Sequence, residues 1–157
     1  MVQQSRLTWQ SSNLTQLDSL DLYRVFELRQ SVFVLEQQCL YADIDEHDEH
    51  AIHLLGTDGA SQKLIAYLRV LAPGVSYEEP SIGRVVVAES ERGIGYGKLL
   101  IEQGIQVLRQ HYGNTSIRIS AQSRLISLYK DAGFKAVGDA YLEDNIPHQQ
   151  MLLDTHL

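Results

Sequence analysis

Helical and extended segments interleave along this chain of 157 residues, which predicts a mixed α/β sheet in one domain, 1–157. Three observations carry that expectation. Ile82 to Val87 is a β-branched run, broken only by Gly83 and Arg84, that enters a helix through a glycine-rich loop. Ser116-Ile117-Arg118-Ile119-Ser120-Ala121 alternates as a strand does, and a helical pattern follows it. Leu64, Ala66, Leu68 and Val70 alternate with Ile65, Tyr67 and Arg69, as one arm of a hairpin.

In chain order, Leu7 to Gln10 reads as a first short strand. Thr15 or Asp18 can cap a helix whose apolar positions include Leu22, Val25 and Phe26. Val32-Phe33-Val34-Leu35 then leads into an acidic stretch. His53-Leu54-Leu55 reads as a strand, Thr57-Asp58-Gly59 as a turn and 64–70 as the returning strand, which Pro73-Gly74 breaks. After strand 82–87, the long helix places Leu100, Gly104, Val107 and Leu108 on one face, with Gly113 as its C-terminal glycine. Strand 116–121 precedes a helix over 123–132, capped by Ser123, that carries Leu125, Leu128, Tyr129 and Ala132 and stops at Gly133-Phe134. Strands at 134–138 and near 148–154 complete the chain.

The segment Arg92-Gly93-Ile94-Gly95-Tyr96-Gly97-Lys98 is the most telling. Its glycines strip side chains from the entry to a helix, where first-turn N–H groups lack partners and the helix dipole is positive. Such a loop can wrap a phosphate or pyrophosphate. A dinucleotide fingerprint needs G-x-G-x-x-G and a later acidic residue; here the spacing is G-x-G-x-G, and Glu102 is the sole acid that follows closely. A Walker A loop fits Gly97-Lys98 but not Arg92, which stands in place of its first glycine, nor Leu99, which replaces its hydroxyl. Arg92, Gly95 and Gly97 match, without a gap, the [QR]-x-x-G-x-[GA] acyl-coenzyme A loop of the GCN5-related N-acetyltransferases.

The resemblance extends along nearly the whole chain. Leu128-Tyr129 ahead of Gly133-Phe134 is similar to that family's second signature. Leu28-Arg29, Val32 to Gln37, Cys39-Leu40-Tyr41 and the aspartates 43, 45 and 48 resemble its ElaA-like subgroup, as does Tyr141 to Met151. Asn145 departs from an expected glycine and Gln122 from an asparagine; asparagine still tolerates left-handed geometry, and glutamine keeps the amide. The resemblance implies the acyl-CoA N-acyltransferase fold: a central, mostly antiparallel sheet flanked by helices and splayed between the strands around 87 and 119. The acyl chain would lie in the splay, Val85, Val86 and Val87 would pair through their backbone with pantetheine, and Gln122 would touch the same arm.

Composition narrows the function classes. No run of about 18 apolar residues is present, so no membrane span is expected. The N-terminal stretch lacks a basic-then-apolar leader layout, and the single Cys39 has no internal disulfide partner, so a cytoplasmic location is expected. Cys39 reads as a partly buried structural thiol, with nothing to activate it as a nucleophile. A net charge of −7 argues against nucleic-acid binding; ordinary solubility is its plain reading, and it also suits a cationic acceptor. Asp43, Asp45, Glu46, His47, Asp48, Glu49, His50 and His53 form the densest charged stretch. Its histidine spacing converges poorly on a metal, so no metal is expected. A solvated acidic loop is the plain reading; a wall of the acceptor site, with carboxylates holding an ammonium, is the functional one.

Acetyl transfer to an amine requires a held pyrophosphate, a deprotonated amine and a stabilised thiolate. Backbone N–H groups of Arg92, Gly93, Ile94, Gly95, Tyr96, Gly97 and Lys98 would serve the first, aided by the two cationic side chains. Tyr129 is the candidate general acid, since a phenol of pKa about 10 stays protonated beside a thiol of about 8.5; it also reads as a plain core tyrosine on an amphipathic helix. Glu36, Glu143 and His148 are the candidate bases or acceptor-site residues, and nothing in the chain chooses among them. Arg84 could face the acyl site or solvent. The expectation is an acetyl-CoA-dependent N-acetyltransferase acting on a small-molecule or peptide amine by direct attack in a ternary complex, as a monomer or homodimer. A non-catalytic acyl-CoA sensor module and an ATP-binding domain are the alternatives.

Overall fold

The computed structural model describes residues 6–155. Strands β1 (Leu7–Asn13), β2 (Ile52–Asp58), β3 (Leu64–Leu71) and β4 (Ser81–Val87) form one antiparallel sheet in that order. Strands β5 (Ile117–Gln122), β7 (Ile146–Leu153) and β6 (Lys135–Glu143) form a second, with β7 in the middle. Helix α1 (Ser19–Arg29) lies between β1 and β2, α2 (Tyr96–Tyr112) between β4 and β5, and α3 (Ile126–Asp131) between β5 and β6.

The two sheets meet at the start of β4 and β5. There the Arg118 N–H donates to the Pro80 carbonyl at 3.2 Å, and the Arg118 guanidinium grips Glu79 at 3.0 Å. Past that point the strands belong to separate ladders and splay apart, as the family resemblance implied.

Both faces of the larger sheet are covered. Leu54, Leu68, Val70 and Ile82 pack with Leu100, Ile101 and Leu108 of α2, while Leu55, Tyr67 and Val86 pack with Val25, Val32 and Phe33 on the α1 side. All 8 residues of β3 are therefore buried. Helix α2 lies close on β3 because Gly104 has no side chain: a Cβ there would stand 2.6 Å from Leu68 Cδ2. Among the described residues, no helix is long and apolar enough to cross a membrane.

Local chemistry sets the boundaries. Asp18, one of the two expected caps, accepts from the Asp21 N–H, and Gly113 closes α2 at a positive φ of 80°. The turn expected at 57–59 shifts, because Asp58 stays in β2 and its carboxylate accepts from the Ala60 and Ser61 N–H groups. Ser123 caps nothing; it opens a 3₁₀ turn, and α3 starts only at Ile126. Val32 to Leu35 lies inside a π-helical segment, Gln30–Glu36, which extends α1 and which no periodicity announced. Asp144 and Asn145 both have positive φ, 50° and 62°, and form a two-residue hairpin between β6 and β7; asparagine does the work of the missing glycine.

Candidate active site

Strand β4 ends in a short 3₁₀ turn, Glu89–Glu91, and the chain reaches α2 through Arg92, Gly93, Ile94 and Gly95. Gly93 at φ 83° and Gly95 at φ 97° occupy backbone space that side chains resist. No side chain caps α2, and its first internal bond runs from the Leu99 N–H to the Gly95 carbonyl. The N–H groups of Tyr96, Gly97 and Lys98 are thus left without helical partners at the positive end of a 17-residue helix. Tyr96 contributes only backbone here, since its side chain is buried with Leu7 and Ile65. A cavity of about 220 Å³ runs beside the loop, bordered by Val85, Val87, Arg92, Gly95, Gly97 and Leu128. Arg92 braces this loop: Nε donates to the Val87 carbonyl and Nη1 to Glu36, each at 3.0 Å.

A second cavity of about 200 Å³ adjoins the first, both being bordered by Val85 and Leu125. Its walls include Phe33, Tyr41, Arg84, Tyr129, Glu143 and His148. The β3–β4 register creates it in part. Tyr67 pairs with Val86 but Arg69 pairs with Gly83, so Arg84 and Val85 face Leu68 alone, with Arg84 at φ 52°. This bulge bends β4 where the two cavities meet.

Of the predicted site residues, Tyr129, Glu143, His148 and Gln122 converge on this cavity. Tyr129 is buried with its ring edge against Phe134, and burial pushes its phenol far above the ordinary value. His148 Nδ1 donates to the Ile146 carbonyl at 2.7 Å, which leaves Nε2 facing the Glu143 carboxylate at 3.2 Å. Gln122 pairs with Gln37 through their amides at 3.3 Å and accepts from Arg124 Nε at 2.9 Å. Glu36 is not brought in; it sits beside a different hollow, against α1, as the partner of Arg92.

The acidic stretch is solvated only in part: Glu46, Glu49 and His50 are exposed, while its aspartates turn inward. Asp43 and Asp48 are buried, Arg29 is completely so, and three arginines neutralise three aspartates. Arg29 reaches Asp43 at 3.0 Å and Asp48 at 2.7 Å. Arg69 reaches Asp45 at 2.6 Å and Asp48 at 2.9 Å, and Arg84 lies 2.9 Å from Asp43 and 3.3 Å from Asp45. None of the segment's residues borders the second cavity; its arginine partners Arg69 and Arg84 do, with Tyr41 beside them, so the expected wall of ammonium-holding carboxylates is not formed. Arg29 and Arg69 were missed in the sequence; the available signal was an arginine amid the apolar residues of β3, facing a dense aspartate run. Among the described residues, no three His, Cys, Asp or Glu side chains are placed to hold a metal.

This network gives folding stability a defined pH dependence. Burial lifts the Asp48 carboxyl, but Arg29, aided by Arg69, outweighs it and holds it at about 2. The unfolded chain titrates that group at about 3.9, so its stabilisation is complete above about pH 4 and disappears as pH falls through 2. His53 acts at higher pH. Its Nε2 donates to the Asp48 carbonyl at 3.0 Å and its Nδ1 accepts from the Tyr67 hydroxyl at 2.6 Å, which requires the neutral ring. Burial lowers its pKa from the ordinary value of about 6.5, so the unfolded chain binds a proton that the folded one refuses. Stability measured by urea unfolding is expected to decline below about pH 6.5 and more steeply below about 4. A stability flat from pH 7 to 4 would remove His53 from this account.

Comparison with known proteins agrees with the geometry. The family model of an acetyltransferase (GNAT) domain matches residues 24–155. A UPF0039 protein of Synechocystis is 37% identical over 146 residues, covering 93% of this chain and 94% of the relative. Protein ElaA of Escherichia coli is 35% identical over 144 residues, covering 90% and 93%. Its crystal structure superposes with a TM-score of 0.86 at 34% identity, over 94% of this chain and 99% of that one. An acyl-CoA N-acyltransferase from Pseudomonas aeruginosa gives a TM-score of 0.86 at 37% identity with the same coverage.

Proposed function

Because the chain belongs to the GNAT acyltransferase family, in its ElaA-like subgroup, we propose that it transfers acetyl from acetyl-CoA to a primary amine by direct attack in a ternary complex. The observation that carries this reading is the joining of two cavities at the β4 bulge, one beside the uncapped end of α2 and the other beside Tyr129. The pyrophosphate binds the N–H groups of Gly93 to Lys98, with Arg92 and Lys98 supplying charge. The pantetheine amides lie along Val85 to Val87, and Gln122 meets them from β5. The Tyr129 hydroxyl donates to the thiolate as it leaves. The attacking ammonium yields its proton, through water, to His148 Nε2, with Glu143 behind it. Direct attack is favoured because Cys39, the single cysteine of the chain, donates its thiol to the Asp144 carbonyl at 3.3 Å and has no basic side chain as a hydrogen-bond partner among the described residues.

The test is calorimetry with acetyl-CoA and with ATP, followed by a screen of amines for thiol release from acetyl-CoA. Acetyl-CoA is expected to bind and at least one amine class to raise thiol release above hydrolysis. Tight ATP binding without acetyl-CoA binding would defeat the reading. Coenzyme binding with no response to any amine would leave the sensor alternative standing.

A further inference from the structure

Every carboxylate oxygen of Asp43, Asp45 and Asp48 already has a donor, yet the arginines that serve them are not saturated. Arg84 spends Nη2 on the Asp43 carbonyl at 3.0 Å and on Asp45 at 3.3 Å. Its Nε lies 2.9 Å from Asp43 Oδ1 but is misaligned and makes no hydrogen bond. Its Nη1 has no hydrogen-bond partner among the described residues. Arg69, with a side chain only 5% exposed, has an Nε without a partner. Both side chains border the cavity that holds Tyr129 and His148. A buried N–H without an acceptor is costly, and Arg69 Nε and Arg84 Nε are two such groups on side chains that border one cavity, which suits that cavity to a ligand that brings acceptors. Tyr41 stacks on the Arg84 guanidinium at 5.5 Å and fixes its plane. The cavity's acidic side chains, Glu143 and Asp144, come from the β6–β7 hairpin, while both arginines come from the adjacent pair β3 and β4.

Resting on the acetyltransferase reading, we propose that the acceptor carries a carboxylate as well as its amine, and that Arg84 Nη1 binds that carboxylate. The amine then lies on the side of Glu143 and His148. Arg84 is a specificity-determining residue for a small amino-carboxylate, and the bulge at 84–85 exists in part to aim it.

The experiment compares amino acids with the amines left when the carboxylate is removed: lysine with pentane-1,5-diamine, and phenylalanine with 2-phenylethylamine. Thiol release from acetyl-CoA gives kcat/KM for each, using the full chain and its Arg84→Gln and Arg84→Lys variants. The amino acids are expected to be preferred by about 10- to 100-fold, the range for one charge-assisted pair. That preference should fall to near unity in Arg84→Gln and be reduced in Arg84→Lys, which retains a cation beside Asp43 and Asp45 should the glutamine variant not fold. If the decarboxylated amines match the amino acids in the unmodified chain, or if the preference survives both substitutions, the inference is overturned while acyl transfer stands. If no compound of either type releases thiol, both fall.

Discussion

Replacing Tyr129 with phenylalanine is expected to lower kcat by about 10²–10³, the cost of one donor aimed at developing charge, while the Kd for acetyl-CoA stays within about twofold. The substitution keeps the ring that packs edge-on against Phe134 and removes only the hydroxyl. The size of the effect follows from burial. A thiol of about 8.5 is already a poor match for an ordinary phenol of about 10, and desolvation of Tyr129 widens that gap. On the proposed mechanism full proton transfer to the sulfur is thus uphill, and the hydroxyl would stabilise the leaving thiolate chiefly as a hydrogen-bond donor. Steady-state kinetics beside calorimetry would check this. An unchanged kcat would return Tyr129 to a packing role, and a joint loss of kcat and coenzyme affinity would mean that the ring, not the hydroxyl, matters.

Arg29→Met is expected to destabilise the fold by about 3–5 kcal/mol, because removing one member of a buried ion network strands the others. For a chain of this size that corresponds to a fall in Tm of roughly 6–20 °C. Arg29 is fully buried, bonds Asp43 and Asp48 through three nitrogens, and lies over the rings of Phe26 and Tyr67 at 5.3 and 5.8 Å. Methionine fills much of the space but answers none of the charge. Adding Asp48→Asn to Arg29→Met should recover part of the loss, since the uncompensated carboxylate is the source of the cost. Differential scanning calorimetry of the single and double variants decides the matter; a drop of less than about 1 kcal/mol for Arg29→Met would show that water already reaches the network.

What was legible in the sequence was what local pattern controls. The alternation in 64–70 and 116–121, the one-sided face of 100–108 and the glycines at 93, 95 and 97 each act within a few residues, and each appears where expected. The acidic stretch was misread because its partners lie far off in sequence. Asp45 and Arg69 are 24 residues apart, and Arg84 meets the Asp43 carbonyl across 41. A run of aspartates looks solvated until arginines from an earlier helix and two later strands fold onto it. Glu36 and Arg92 illustrate the same limit across 56 residues, and their pairing leaves Glu36 away from the cavity that Tyr129 borders. The π-helical turn at 30–36 had no periodic signature, since its apolar residues serve both the α1-side core and the cavity wall.

The divergence of β4 from β5 has a corollary for recognition. An open sheet edge offers peptide groups, not side chains, to whatever lies along it, so a ligand that supplies amides takes the seat of an absent strand. Recognition of that kind is nearly silent at the level of amino-acid identity. On the proposed reading, Val85 and Val87 would serve the ligand through their backbone while their side chains pack on the core, and Arg84 would serve it through its side chain.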